Sequence, residues 1–438
     1  MQYRGLEWFN CRLPVKAESW PRRRNLRIGP DNDQDDHAPE LVQTYARGKM
    51  WLWSGRRIYF VSDIHADADA FFLSLVASGG IAKTGPADAD FELTPEGRNA
   101  LFIIGGDCFD KGPLNLRLLD AIQHLYDKGA EVELLAGNHD IRTYLGIFYA
   151  ENKETLLDHL FVRMGRKTVP LLKEIYDAFI RGANEQLSFD ATDASLHAML
   201  FPDESWYADF PVAAAALIPA EKLEKEVQRI REKSLEFEAR AAEFGLTLAQ
   251  VHAAVQKFRE LFFEPKGRYH WFFDRMKLAC QQGSYLFVHA GVDDTAALAI
   301  RDRGVAHLNE EFRRMLQEDP FALYHGVLGN MFRTKYRDID YPLTPAGVEA
   351  LHSAAIYAIV HGHRNLCQGQ RMVVRAGMLN FECDASVDCN TRVIEDLHGP
   401  GGASVVFSET GRVQAISTDY PFVKSFHPGA IAVAAERG

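Results

Sequence analysis

Short apolar runs punctuate the chain, and each stops at a cluster of Gly, Asp, Asn or His. Residues 57–62 run into Asp63, with His65 close behind, and residues 101–104 run into Gly105, Gly106 and Asp107. The form returns at 132–135 before Gly137, Asn138, His139 and Asp140, at 285–288 before His289, and at 356–360 before His361, Gly362 and His363. Continuous runs this short, rich in β-branched and aromatic residues, predict buried strands. After the second, Pro113 opens a helix carrying Leu116, Leu119 and Ile122, which makes a strand, loop, helix unit. The pattern predicts an α/β fold. It also predicts a site, because open α/β sheets bind ligands outside the carboxyl ends of their strands, where loops converge. A single Asp or His after a strand would cap a turn or meet solvent, whereas five polar strand ends together point to chemistry.

Residues 151–275 differ in texture, being rich in helix formers and charge, and read as an inserted helical cap. Leu223, Val227, Ile230, Phe237, Ala241 and Phe244 keep a near-heptad rhythm with Ser234 in the seam, and Leu248, Val251, Val255, Phe258 and Phe262 continue it. Gly245 suits a helix end, and the T-x-x-Q of Thr247 and Gln250 has the form of a capping box, so an antiparallel helical hairpin is expected. Its apolar seam serves packing within the cap or, as a second reading, self-association through the hairpin. Residues 403–417 read as a β-hairpin that completes the sheet, and the acidic cluster of residues 30–37 as an exposed loop. The expected organisation is an N-terminal extension over 1–50, a main domain over 51–150 and 276–438, and the cap between.

Composition narrows the function. A chain of 438 residues with 47% apolar and 25% charged residues is long enough for a large core plus an insertion. The formal charge of -11 argues against bulk nucleic-acid binding or an anionic membrane surface as partner. No apolar run approaches the roughly 20 residues of a membrane span, the best stretch, 210–220, carrying two prolines. The polar, Arg-rich start lacks the look of a secretory signal, so a cytoplasmic location is expected. Six scattered cysteines without a CxxC pair favour free thiols over a thiolate zinc site, with a Cys383–Cys389 bridge as the alternative.

The chemistry-bearing residues are carboxylates, a carboxamide and imidazoles. Such ligands suit Mn, Fe, Zn or Mg-type ions, and a carboxylate between two ions can bridge them, for which Asp107 is the candidate. Two ions about 3.5–4 Å apart can activate a water and hold two oxygens of a phosphoryl group, which is the hydrolysis of a phosphate ester.

The blocks Asp63-Ile64-His65, Gly106-Asp107-Cys108-Phe109-Asp110-Lys111-Gly112, Gly137-Asn138-His139-Asp140, His289-Ala290-Gly291 and Gly362-His363 resemble, in order, the calcineurin-like metallophosphoesterase signature. The resemblance spans residues 57–140 and about 285–420. It implies a β-sandwich flanked by helices, with Asp63, His65 and Asp107 on a first metal and Asp107, Asn138, His289 and His363 on a second. It further implies a proton-donating His139 oriented by Asp110, two divalent ions, manganese foremost, and a phosphorylated substrate attacked by a two-metal-activated hydroxide. Asp110 three residues past Asp107, and Gly362-His363-Arg364-Asn365 in place of Gly-His-x-His, bring the chain nearest the bacterial serine/threonine protein phosphatase subgroup. His361 is the alternative for the ligand so lost. That subgroup usually has Arg where this chain has Lys111, a point charge instead of a fork. Lys111 is therefore expected to share phosphate binding with Arg142 and Arg333, Arg337 being a further candidate, and Asp384 is placed near the site. A phosphomonoester hydrolase of protein phosphatase type is the leading expectation. Hydrolysis of a dinucleoside polyphosphate or another small phosphoanhydride or phosphodiester is the alternative, and a partner-binding scaffold the remote one.

Overall fold

The apolar runs become strands because both faces of each are covered by other parts of the chain. The computed structural model describes residues 2–22, 38–150, 156–158, 161–182, 193–429 and 431–433, so the acidic cluster at 30–37 lies outside the described residues. In chain order the first strands are β1 (Ala17–Ser19), β2 (Trp51–Trp53), β3 (Ile58–Val61), β4 (Ile81–Lys83), β5 (Phe91–Leu93), β6 (Leu101–Ile104), β7 (Glu131–Leu135) and β8 (Met276–Lys277). There follow β9 (Ala279–Gln282), β10 (Tyr285–Val288), β11 (Ala358–His361), β12 (Arg371–Arg375) and β13 (Met378–Glu382). The last are β14 (Ala403–Phe407), β15 (Val413–Ser417), β16 (Val423–Phe426) and β17 (Ile431–Val433).

Two sheets stack. The larger runs β1-β16-β15-β14-β3-β6-β7-β8 and the smaller β12-β13-β11-β10-β9, with β3, β6 and β7 parallel in one and β10, β11 and β13 parallel in the other. Side chains alternate along a strand. Ile58, Phe60, Leu101, Ile103 and Phe407 therefore face Tyr285, Phe287 and Val360 between the sheets, while Tyr59, Val61, Phe102 and Ile104 join the core under the helices. Phe60 and Phe287 meet at 5.7 Å and Phe287 and Phe407 at 5.2 Å between ring centroids. Each such ring contributes about 1.5–3 kcal/mol through burial. This is the expected β-sandwich, flanked by helices. The hairpin of β14 and β15 closes it by pairing β14 antiparallel to β3.

The N-terminal segment, expected as an extension, supplies an edge strand: β1 pairs parallel to β16, and the fully buried Trp20 packs edge-on to Phe381. Helix α1 (Ala38–Arg47) follows, then α2 (Ala68–Ser78), α3 (Asn115–Asp127) and α4 (Asn138–Tyr149), the last beginning directly after β7. All six cysteines are free.

Between β7 and β8 lie α5 (Val169–Phe179), α6 (Asp193–Leu200), α7 (Glu204–Ala214), α8 (Ala220–Glu243), α9 (Leu248–Phe262) and α10 (His270–Asp274). The join of α8 and α9 has the anticipated chemistry. Gly245 has φ 67°, Thr247 Oγ1 accepts from Gln250 N at 3.2 Å, and Gln250 Oε1 accepts from Thr247 N at 2.9 Å. The expected seam-to-seam hairpin is not how the helices pack. Helix α9 lies on α5 and α6, with Gln250 donating to Tyr176 at 2.9 Å, whereas α8 lies on α7 and on the turns Phe161–Met164 and Arg166–Thr168. Helical period says which face is apolar; it does not say which surface will cover it. Through Phe262, α9 also meets Phe109 at 5.9 Å, in the loop after β6.

After β10 come α11 (Asp294–Glu318), interrupted at Gly304, then α12 (Pro320–His325), α13 (Val327–Met331) and α14 (Pro345–Ser353), with α15 (Cys389–Ile394) after β13. No described helix is long and apolar enough to cross a membrane.

Candidate active site

Five strand ends meet at one edge of the sandwich, and the loops leaving them are cross-braced. His65 N donates to Asp107 O at 2.9 Å, Ala66 N to Cys108 O at 2.7 Å, and Gly362 N to His289 O at 2.9 Å. To aim side chains inward, the chain adopts left-handed backbone at residues that carry a Cβ: Asp63 (φ 55°), His65 (47°), Asp107 (55°), Asp110 (74°), Lys111 (65°) and His363 (67°). Each such turn costs about 1–2 kcal/mol for a non-glycine residue, and this concentration of strain is a mark of functional loops. Gly362 allows a close approach, since a Cβ there would lie 1.8 Å from Asp63 Oδ2.

Two clusters result, and they share one carboxylate. The donor atoms of Asp63, His65 and Asp107 lie within 4.8 Å of one another, as do those of Asp107, His289 and His363. Asn138, the first residue of α4, brings Oδ1 to 3.3 Å from His289 Nε2. Backbone carbonyls anchor two of the rings by Nδ1, Gly105 O holding His289 at 2.7 Å and Phe109 O holding His65 at 3.2 Å. The opposite nitrogen, Nε2, is thereby turned to the centre, as in metal-binding histidines. His363 Nε2 is buried with no hydrogen-bond partner among the described residues. Oxygen and imidazole donors converge without a thiolate, and an orphaned imidazole nitrogen faces them, so the residues fit divalent ions.

The charges here are strongly coupled. Burial pushes the Asp63 acid up, opposed by His289. Against burial, His289 and His139 hold Asp107 well below the usual carboxylate range, while Asp107 and Asp63 push His289 up to about 10. His65 falls well below its ordinary value through burial and the neighbouring Lys111, whose Nζ lies 2.8 Å from His65 Nε2.

His139 stands at the start of α4, its backbone N–H donating to Asp107 Oδ1 at 2.9 Å. Its Nδ1 lies 2.6 Å from Asp110 Oδ2, and its Nε2 faces Asp107 Oδ2 at 3.8 Å. Burial would raise the Asp110 acid, but the charge and hydrogen bond of His139 bring it down to about 2. Asp110 Oδ1 accepts from Lys111 N at 2.7 Å, so both carboxylate oxygens are committed.

A cavity of 480 Å³ opens from the centre, lined by Asp63, Asp107, Asn138, His139 and His363. Lys111, Arg142, Arg333 and Arg337 line it too, Arg337 being paired with Asp340. Arg142 is braced by the carbonyls of Arg163 and Met164 at 3.0–3.3 Å, and Arg333 stacks 4.3 Å over Tyr324. His361 is in neither cluster; its Nδ1 lies 3.0 Å from Gly362 O, beside Glu382 of the adjoining strand. Asp384 is buried, and Asp63 raises its acid further after burial while Lys111 opposes; it does not line the cavity.

Asp140 is the residue whose role sequence reasoning missed. It is fully buried, and its two oxygens accept four backbone N–H groups, from Asp107 (2.8 Å), Gly137 (3.1 Å), Cys108 (2.9 Å) and Phe109 (3.1 Å). It clamps the loop bearing Asp107 to the start of α4. The available signal was its place in the block Gly137-Asn138-His139-Asp140, which gives no hint of partners thirty residues upstream.

Residues 56–218 match the family model of the calcineurin-like phosphoesterases. The chain carries a calcineurin-like phosphoesterase domain. The matched stretch contains the blocks from Asp63 to Asp140, and tertiary structure brings His289 and His363 to them from beyond it. No curated protein sequence matches the chain. A cold-active protein-tyrosine phosphatase of a psychrophilic Shewanella is similar in structure at 12% identity and TM-score 0.41, over 85% of this chain and 81% of that one. A protein serine/threonine phosphatase from Saccharomyces cerevisiae is similar at 12% identity and TM-score 0.36, over 91% of this chain and 89% of the other. By the family model, residues 56–218 are those of a metal-dependent phosphoesterase domain, and the clusters of Asp and His are able to hold metal.

Proposed function

We propose that the protein hydrolyses phosphomonoesters at a centre of protein phosphatase type, with Asp63, His65 and Asp107 holding one divalent ion and Asp107, Asn138, His289 and His363 a second. The observation that carries this reading is the sharing of Asp107 between the two clusters. Two such ions, manganese foremost, would supply Lewis acidity and lower the pKa of water. The chain's own residues do the rest. Lys111, Arg142 and Arg333 face the cavity with the charge to bind and orient a phosphoryl group, the two arginines as planar forks. His139, its Nδ1 fixed by Asp110, presents Nε2 to the centre and gives a proton to the leaving oxygen.

The test is p-nitrophenyl phosphate hydrolysis by metal-stripped protein, with and without manganese, beside Asp107→Asn. Manganese-restored turnover that vanishes in a folded Asp107→Asn protein is expected, and full activity of that variant would sink the assignment. A small-molecule phosphoester or phosphoanhydride substrate is favoured over a folded phosphoprotein by one observation: Leu217, Lys222, Lys225 and Arg229, at the start of α8 and just before it, line the same cavity as Asp107 and His139.

A further inference from the structure

One wall of the cavity carries more positive charge than the reacting phosphate needs. On α8, Lys222, Glu226, Arg229 and Lys233 fall at helical spacing along one side, and the first three line the cavity. Facing them is Arg163, buried, its guanidinium 5.1 Å over the ring of Tyr324, the ring on which Arg333 stacks. Lys233 reaches toward the Arg142 guanidinium, for a Cβ on Gly165 would stand 3.1 Å from Lys233 Nζ and 3.9 Å from Arg142 Nη2. Glu226 pairs with Arg163 at 2.8 Å and is the one carboxylate within this group. Arg163 Nε has no hydrogen-bond partner, and neither Arg229 nor Lys233 forms an ion pair among the described residues.

Cations gathered in a partly desolvated place repel one another, and an unpaired buried charge costs free energy. Burial and then Arg142, Arg163 and Arg229 bring the Lys233 ammonium down to about 7. In a chain of net charge -11 such a cluster is not a by-product of general basicity. An anion entering it would relieve the repulsion and satisfy the open donors.

We propose that Arg163, Arg229 and Lys233 form a second anion subsite beside the phosphate clamp, and that the substrate is a small molecule carrying a second phosphate group. This rests on the phosphomonoesterase reading above. Guanidinium forks match phosphate oxygens, and the 480 Å³ cavity is of the size that encloses a small ligand.

Propane-1,3-diol bisphosphate and propyl phosphate, differing in the second phosphate, test the subsite by their kcat/KM values in manganese. The bisphosphate is expected to exceed the monophosphate about tenfold, one charge-assisted contact's worth. Lys233→Gln and Arg229→Gln should each remove most of that preference and leave propyl phosphate hydrolysis unchanged. Equal kcat/KM for the two esters, a preference untouched by both variants, or a greater kcat/KM for an acidic phosphopeptide would overturn the proposal. Calorimetric binding of the bisphosphate to the metal-stripped chain separates it from the reading it rests on. Binding that weakens in Lys233→Gln without any turnover would leave the subsite standing and the hydrolase reading refuted, whereas turnover of both esters without preference would do the reverse.

Discussion

Replacing Asp110 with Asn isolates the contribution of the proton donor. Asparagine tolerates the left-handed backbone at this position, φ 74°, so the loop should survive. The carboxylate uses both oxygens, one accepting from Lys111 N at 2.7 Å and the other lying 2.6 Å from His139 Nδ1. An amide has one oxygen. It can serve Lys111 N–H or the imidazole, and in the first case its NH2 confronts Nδ1 and favours the wrong tautomer. The loss is that of one charge-assisted hydrogen bond in a buried place, about 1.5–3 kcal/mol. Felt in the transition state, this slows the reaction about 10- to 100-fold. The effect should depend on the leaving group, because p-nitrophenolate departs without a proton and an alkoxide does not. Turnover of propyl phosphate is therefore expected to fall by that factor in Asp110→Asn, and turnover of p-nitrophenyl phosphate by about threefold or less. Equal losses on the two esters, or none on the alkyl ester, would refute the assignment of His139 as the proton donor.

Other perturbations have equally definite outcomes. Asp140→Asn puts an NH2 against two of four backbone donors and should cost about 2–4 kcal/mol; an unchanged urea midpoint would contradict the clamp. The Asp110 acid lies at about 2 instead of 3.8, so it contributes about 2 kcal/mol that is fully present above pH 3.8 and lost as pH falls toward 2. The pH profile of unfolding free energy of metal-free protein should be flatter over that window in Asp110→Asn, and a profile identical to wild type would show that the pairing does not act as described. Elemental analysis of manganese-loaded protein should find two ions in wild type and one fewer in a folded His65→Ala variant; equal metal content would remove His65 from the ligand set. Loading should also raise Tm, since metal at a hundredfold excess over its Kd stabilises by about 2.7 kcal/mol. Gly362→Ala should lose metal as well, because the added methyl would stand 1.8 Å from Asp63 Oδ2, and a fully loaded variant would speak against that crowding.

Much of the site was legible in the chain itself. Strand ends can be read locally, because a run such as 101–104 is apolar on both faces and stops where Gly105 and Gly106 break it. Side-chain chemistry is also local: Asp63, His65, Asp107, Asn138, His289 and His363 carry oxygen and imidazole donors wherever the fold places them. The capping box at Thr247 belongs to the same class, since it spans one helical turn. What only the tertiary structure decided is contact between segments far apart in sequence. The apolar stripe of α8 was visible, but its partners, α7 and the turns at 161–168, were not, because periodicity names a face and not its neighbour. Asp140 reaches N–H groups of Asp107, Cys108 and Phe109, a relation set by the stacking of loops after two adjacent parallel strands. Arg163, Arg229 and Lys233 were ordinary charges in a charged stretch until the fold laid α8 along the cavity, burying Arg163 and half-burying Lys233 while Arg229 stays exposed at the rim.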